Sequence, residues 1–318
     1  MKKMKSFLQF VFGFVFLLMV SACGTENTQT NESDLDSEKT IHIVTTIAQI
    51  GEPMERIGGD RVEVTSLMGP GVDPHLYEAT QGDIQTLQNA DIVFYSGLHL
   101  EGNMVEVFAN LKKTKPTTAL AESINENQLL RDEEGAIDPH VWFDLDLWKE
   151  ALQHATEELK KYSPEDADYF EENKQAYFSQ IDEVKTEAEG KLSSIPSDQR
   201  VLVTAHDAFG YFGRKFNIEV VGLQGLSTED EVGISDIQST INLLVEKQVP
   251  AVFVESSINQ NSIKAVIEGA TKTGLDVELG GELFSDAMGK AGTEEGTYLG
   301  MYRHNVNTIY QGLTRGEE

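Results

Sequence analysis

Histidine is scarce in this chain, with seven among 318 residues. Two of the seven share a context. His75 closes Gly69-Pro70-Gly71-Val72-Asp73-Pro74-His75 and His140 closes Ile137-Asp138-Pro139-His140, so the tripeptide Asp-Pro-His occurs twice. Proline fixes its own φ and restricts the residue before it, so each imidazole is presented from a stiff loop. Asp73 and Asp138 are placed to accept a ring or backbone N–H and orient each imidazole from behind. His206 follows the apolar run 201–204, which reads as a strand. Open α/β sheets collect ligand groups at the carboxyl ends of their strands. Asp207 reads as the N-cap of the next helix. A fourth group comes from Glu282-Leu283-Phe284-Ser285-Asp286-Ala287-Met288, beyond a strand expected near 277–279 and a Gly280-Gly281 turn. Asp286 is the best ligand candidate there. Three imidazoles and a carboxylate can hold a divalent metal. The intervals of 65, 66 and 80 residues match no local metal motif, and loop capping is the alternative role for each residue.

The other histidines read as ordinary. His42 alternates within a strand, and His154 and His304 lie on helical stretches as solvated or core-edge residues. His99 follows a strand and could line a cleft. The same constellation could serve hydrolysis, because a metal with an open position activates water, but a general base is also needed. Glu255, after the apolar run 251–254, is the obvious base candidate and otherwise a carboxylate supporting a ligand. A carrier needs no base, so binding without catalysis is the favoured reading, with a zinc-dependent hydrolase as the remote alternative.

Short Val- and Ile-rich runs over 41–45, 62–67, 92–95, 201–204, 220–223 and 251–254 read as buried strands. Helix-period stretches over 83–87, 147–160, 234–247 and 262–273 lie between them. That alternation predicts α/β units with parallel sheets, in two lobes. The middle differs. Ser163-Pro164-Glu165-Asp166 reads as a helix start. Tyr169, Phe170, Asn173, Tyr177, Ile181, Val184 and Ala188 then recur at three- or four-residue spacing until Pro196 stops the pattern. The spacing predicts one amphipathic helix of about 28 residues, about 40 Å long, as a stiff connector along both lobes. The expected limits are 41–162 for the first lobe, 163–195 for the connector and 196–318 for the second. His75 and His140 then belong to the first lobe and His206 and Asp286 to the second, so a shared site falls in the cleft.

Lys2, Lys3 and Lys5 precede an apolar stretch over 7–20, too short for a comfortable membrane span, which wants about 20 residues. Val20-Ser21-Ala22-Cys23 follows, with the only cysteine of the chain. This resembles the lipobox of bacterial lipoproteins, in which the thiol takes a diacylglycerol and becomes the new N-terminus. Residues 1–22 then form a signal peptide, and 23–40 a lipidated cysteine with a polar, disordered tether. Two acyl chains would hold the protein on the extracytoplasmic face of the cell membrane. A single cysteine excludes an internal disulfide and any multi-cysteine metal site. The 25 basic against 53 acidic residues give −28, and losing three lysines with the signal takes it to −31. Such a charge excludes a nucleic-acid binder.

Taken together, the chain is similar to the metal-binding lipoproteins that feed ABC importers of manganese, zinc or iron. The carrying segments are Ser66-Leu67-Met68-Gly69-Pro70-Gly71-Val72-Asp73-Pro74-His75, Asp138-Pro139-His140-Val141-Trp142-Phe143, Thr204-Ala205-His206-Asp207-Ala208-Phe209-Gly210-Tyr211-Phe212 and Leu283-Phe284-Ser285-Asp286-Ala287-Met288-Gly289. The resemblance implies that His75, His140, His206 and Asp286 hold the metal, that a long rigid helix joins the lobes, and that the partners are a permease and its cytoplasmic ATPase, the binding protein itself being a monomer. Family members selective for manganese often carry Glu where this chain has His206, and zinc-specific ones often carry a long His-rich acidic loop. Here 126–136 is short, acidic and free of histidine. The pattern looks most like manganese-type members whose third ligand is His, with Zn2+ or Fe2+ as alternatives. Asp286 binding through both oxygens would raise the coordination number and suit manganese. Imidazole must be neutral to ligate, so affinity is expected to fall below about pH 6. An adhesin role would leave no sequence signature.

Overall fold

The computed structural model describes residues 40–314. The expected signal segment, Cys23 and the tether up to residue 39 lie outside the described residues, as do 315–318. Among the described residues, no helix is long and apolar enough to cross a membrane.

The first lobe runs β1 (Ile41–Thr45), α1 (Ala48–Gly58), β2 (Val62–Ser66), α2 (Gln81–Asn89), β3 (Ile92–Tyr95), α3 (Val105–Leu111), β4 (Thr117–Ala119) and α4 (Leu145–Tyr162). Its four strands are all parallel, in the order β2-β1-β3-β4. Parallel pairing needs a crossover of a dozen residues or more, which the intervening helices supply. α2 opens on a reciprocal capping box between Thr80 and Asp83. α4 opens on Asp144, whose carboxylate accepts from the N–H groups of Asp146 and Leu147.

The connector is α5 (Ala167–Leu192), preceded by a 3-10 turn at Pro164–Asp166. Its 26 residues span about 39 Å. Phe170, Tyr177, Ile181, Val184, Ala188 and Leu192 form its buried stripe. Two expected members differ: Tyr169 is exposed, and the buried position of that turn is Lys174, not Asn173. The Lys174 stem lies in the core while its ammonium donates to Gln153 at 2.5 Å and Glu171 at 2.7 Å. α5 packs on α1 and α4 of the first lobe and on the last helix of the second.

The second lobe runs β5 (Val201–His206), α6 (Gly210–Phe216), β6 (Glu219–Gln224), α7 (Ile234–Lys247), β7 (Ala251–Glu255), α8 (Asn261–Lys272), β8 (Glu278–Leu283) and α9 (Tyr298–Leu313). β5 pairs β6 and β7 pairs β8, both parallel, and β5 lies against β7. The Gly280-Gly281 pair is not a turn but lies inside β8, where the register slips opposite Val252 and Phe253. The Phe253 ring fills the space a Cβ on Gly280 would need, at 2.5 Å, and Gly281 sits at φ +142. Glycine is therefore required there by packing and backbone, not by chain reversal. Asp207 does not cap α6 either, since that helix begins at Gly210 with Phe209 before it.

One apolar core runs from the first sheet through α4 and α5 to α6 and α9, and a second fills the far side of the second lobe between β5, β7, α7 and α8. The shared core fixes how the two lobes meet.

Candidate metal centre

Each of the four candidate ligands sits just beyond, or at, the end of a strand or stiff loop. His75 lies in the loop between β2 and α2. Asp73 Oδ1 accepts from the His75 backbone N–H at 2.9 Å, closing an Asx turn that aims the ring. His140 precedes a short 3-10 turn, Val141–Phe143. Asp138 repeats the same backbone bond, Oδ1 accepting from His140 N at 2.9 Å, and adds a ring contact to Nδ1 at 2.8 Å. The twin Asp-Pro-His tripeptides thus share a backbone device, but only Asp138 also reaches the ring.

His206 is the last residue of β5, opposite Gln224 at the end of β6. Glu255, the last residue of β7, takes the His206 backbone N–H on Oε1 at 2.9 Å and lies 2.6 Å from ring Nδ1 through Oε2. Glu255 is fully buried with both oxygens turned to His206, so it is a support for that ring and not a base facing a substrate.

Asp286 follows β8 on a short segment held from three sides. Asn305 on α9 clamps Phe284, accepting its N–H at 2.9 Å and donating to its carbonyl at 2.7 Å. The Ser285 carbonyl accepts from Gln49 of α1 at 3.1 Å and from the Trp142 indole at 3.2 Å. Gln49 and Trp142 belong to the first lobe, so they anchor the second lobe's ligand across the cleft. Tyr211 of α6 donates to the Asp138 carbonyl at 3.0 Å, and Tyr298 of α9 to the Trp142 carbonyl at 2.6 Å. None of these supports was recognised from sequence. Asn305 alone carried a faint signal, a polar residue on the apolar face of a helix between Met301 and Ile309.

The four groups converge. One ligand atom from each of His75, His140, His206 and Asp286 lies within 4.8 Å of every other. Asp286 Oδ1 is 3.3 Å from His140 Nε2, and Oδ2 is 3.2 Å from His206 Nε2 and 3.6 Å from His75 Nε2. All four residues are buried, His75 the least so at 3%. The three Nε2 atoms and both Asp286 oxygens are buried without a hydrogen-bond partner. Five such atoms pointed at one spot are costly unless a shared ion or proton satisfies them. The donor set of three imidazoles and a carboxylate fits a divalent cation. His42, by contrast, pairs with Glu63 at the surface, and His304 meets the Glu282 carbonyl. His99 sits in a turn at φ +67 beside a separate cavity, and His154 on α4 joins no ligand cluster.

The charges are balanced by protons. Burial opposes charging His140, but Asp286 and Asp138 outweigh it and lift the imidazole to about 9. For His206 burial is again opposed, here by Glu255 and Asp286, and the result lies well above the ordinary value. Asp286 is held well below the usual carboxylate range: burial would raise it, yet His206 and His140 prevail. His75 has no second carboxylate behind its ring, so burial lowers it to about 4 despite Asp286. The surrounding carboxylates thus favour the protonated form of His140 and His206, and burial the neutral form of His75.

Fold and donor set define a class: two-lobed α/β solute-binding proteins, joined by one long helix and built around a buried metal-type donor cluster. A family model described as the zinc-uptake complex component A, periplasmic (ZnuA), matches residues 43–312, and the chain belongs to that family. It is 47% identical over 295 residues to the manganese-binding lipoprotein MntA of Bacillus subtilis, covering 92% of this chain and 95% of that one. It is 46% identical to the zinc-binding protein TroA of Treponema pallidum, over 86% of this chain and 89% of that one. The solved structure of periplasmic TroA superposes with a TM-score of 0.85, covering 87% of this chain and all of the other. That of Fe(III)-bound YtgA from Chlamydia trachomatis, 27% identical, gives 0.76 over 86% of this chain and 98% of the other.

Proposed function

We propose that this chain captures Mn2+ outside the cytoplasm, holds it between His75, His140, His206 and Asp286, and delivers it to the permease of an ABC importer driven by a cytoplasmic ATPase. The observation that carries the reading is the convergence of five unpartnered donor atoms from both lobes on one buried point. Both Asp286 oxygens face imidazole nitrogens, so a two-oxygen bond and a coordination number above four are available, which suits manganese. The likeness to a manganese-binding lipoprotein over nearly the whole chain supports the same choice. Zn2+ is the second reading, favoured by the three imidazoles and by the likeness to a zinc-binding protein. Fe2+ is a third.

The protein is a binding component of an uptake system, not an enzyme. Catalysis would need a free base, and Glu255 is committed to His206. We further propose that Cys23 carries the lipid that anchors the protein at the membrane, that the mature chain acts as a monomer, and that the lobes divide at 41–162 and 196–318 around the connector 163–195. Metal analysis of the purified chain, followed by competition between Mn2+ and Zn2+ in equilibrium dialysis, tests the proposal. One metal per chain, with manganese carried from growth medium, supports it. Exclusive zinc occupancy under manganese-replete conditions moves the assignment to zinc, and no bound metal refutes it.

A further inference from the structure

All four donor residues are at most 3% exposed, so an ion held among them leaves only if something moves. The supports are unequal. A carboxylate backs the ring of His140 and another backs that of His206. The two residues before Asp286 are pinned, Phe284 by Asn305 and Ser285 by Gln49 and Trp142. His75 is held differently, by its backbone: Asp73 Oδ1 accepts from His75 N, and Asn103 donates to the His75 carbonyl at 3.3 Å.

Asp73 has a second partner, in the other lobe. Thr228, in the loop between β6 and α7, donates its hydroxyl to Asp73 Oδ2 at 2.6 Å and is buried. The Thr228 carbonyl in turn accepts from the Gln224 amide at 2.8 Å. Gln224 ends β6 directly opposite His206. Hydrogen bonds therefore run from Gln224, the strand partner of His206, through Thr228 and Asp73 to His75. Directly outside them lies a cavity of about 540 Å3. Asp73 and Leu76, on either side of His75, line it together with Ala205, Gln224, Thr228 and Ser257. Leu76 is 54% exposed, so the residue that follows His75 opens onto that cavity.

We propose that the Thr228–Asp73 contact is an interlobe latch that governs metal release, and that His75 is the ligand that leaves first, into this cavity. The inference rests on the metal-binding reading above. When the hydroxyl contact breaks, Asp73 is freed from the second lobe and the His75 turn loses its tie across the cleft, while His140, His206 and Asp286 keep theirs. The latch is thus a kinetic control: Thr228 touches no metal, and its loss acts through the position of His75.

The test is the rate at which the manganese-loaded full chain gives up its metal to excess EDTA, measured by stopped flow for wild type, Thr228→Val and Thr228→Ser. Valine keeps the shape and removes the donor; serine keeps the donor. A hydrogen bond to a charged group supports an increase in the dissociation rate of about tenfold or more for valine, with serine within about threefold of wild type. The association rate should stay within about threefold of wild type, so that the change falls on dissociation and is rescued by serine, which a merely structural role would not predict. Thr228→Ala provides a second donor-free variant if valine perturbs the loop. A dissociation rate within twofold of wild type in both donor-free variants, from protein that still binds one metal, overturns the latch and leaves the metal site standing. Wild-type chain that binds no manganese, zinc or iron overturns the underlying reading instead.

Discussion

Capture of a divalent ion at this site should expel two protons at neutral pH. In the metal-free protein His140 titrates at about 9 and His206 well above its ordinary value, each held by two carboxylates. His75, lowered to about 4, is already neutral. A ligating imidazole must be neutral, so one doubly charged ion replaces two imidazolium charges in a buried pocket with three acidic side chains. Each proton makes the binding free energy depend on pH by about 1.36 kcal/mol per unit. Two protons give about 2.7 kcal/mol, or about a hundredfold tighter binding for each unit of rising pH below about 8. The sequence alone places the loss of affinity below about pH 6; the carboxylates beside His140 and His206 move its onset upward, to about pH 9 for His140. Calorimetric titration at pH 7.5 in buffers of different ionisation enthalpy counts the protons, and competition with a chelator at pH 6.5 and 7.5 gives the slope. Release of fewer than half a proton per metal, with equal affinities at the two pH values, would refute the reasoning.

The same groups act oppositely on the metal-free fold. Their folded pKa values lie above the unfolded value of about 6.5, so their contribution to stability is complete below that pH and is lost as pH rises through the folded values, about 9 for His140. The metal-free melting temperature should therefore fall between pH 7 and 9 by calorimetry, whereas the metal-loaded one should not. Glu255→Gln removes the charge behind His206 but keeps the shape; metal affinity should drop about 10- to 100-fold in a chelator competition, and an unchanged affinity would count against the support role. Gly280→Ala places a methyl against the Phe253 ring and should cost about 1–3 kcal/mol in urea unfolding, with metal binding retained.

The four candidate ligands stand out in the sequence because each lies in a short, chemically unusual context. Asp-Pro-His twice, a histidine ending an apolar run, and an aspartate after a glycine-rich strand are local signals, and strand ends are where a parallel sheet delivers side chains. The connector was legible for the same reason: its apolar stripe repeats along one unbroken helix. What sequence could not show was tertiary. Gln49 to Ser285 spans 236 residues and Thr228 to Asp73 spans 155, and neither donor sits in a distinctive neighbourhood. Glu255 was noticed as a possible base because it ends a strand. Only the packing of β7 beside β5 brings both its oxygens against His206. Gly280 and Gly281 were misread as a turn because a bulged strand packed against Phe253 and a chain reversal make the same demand for a missing side chain. α1 went unrecognised because Pro53 lies inside it. It lies in the second turn, where its ring removes one backbone donor, the one that would reach the Gln49 carbonyl.

The central claim is that one ion is held by three imidazoles and one carboxylate drawn from both lobes. A crystal of the manganese-loaded chain, with anomalous data collected on both sides of the manganese edge, tests it most directly. The account predicts a single strong peak, about 2.0–2.3 Å from Nε2 of His75, His140 and His206 and from the Asp286 carboxylate. A peak elsewhere, or an ion that leaves any one of the four beyond bonding distance, would contradict it.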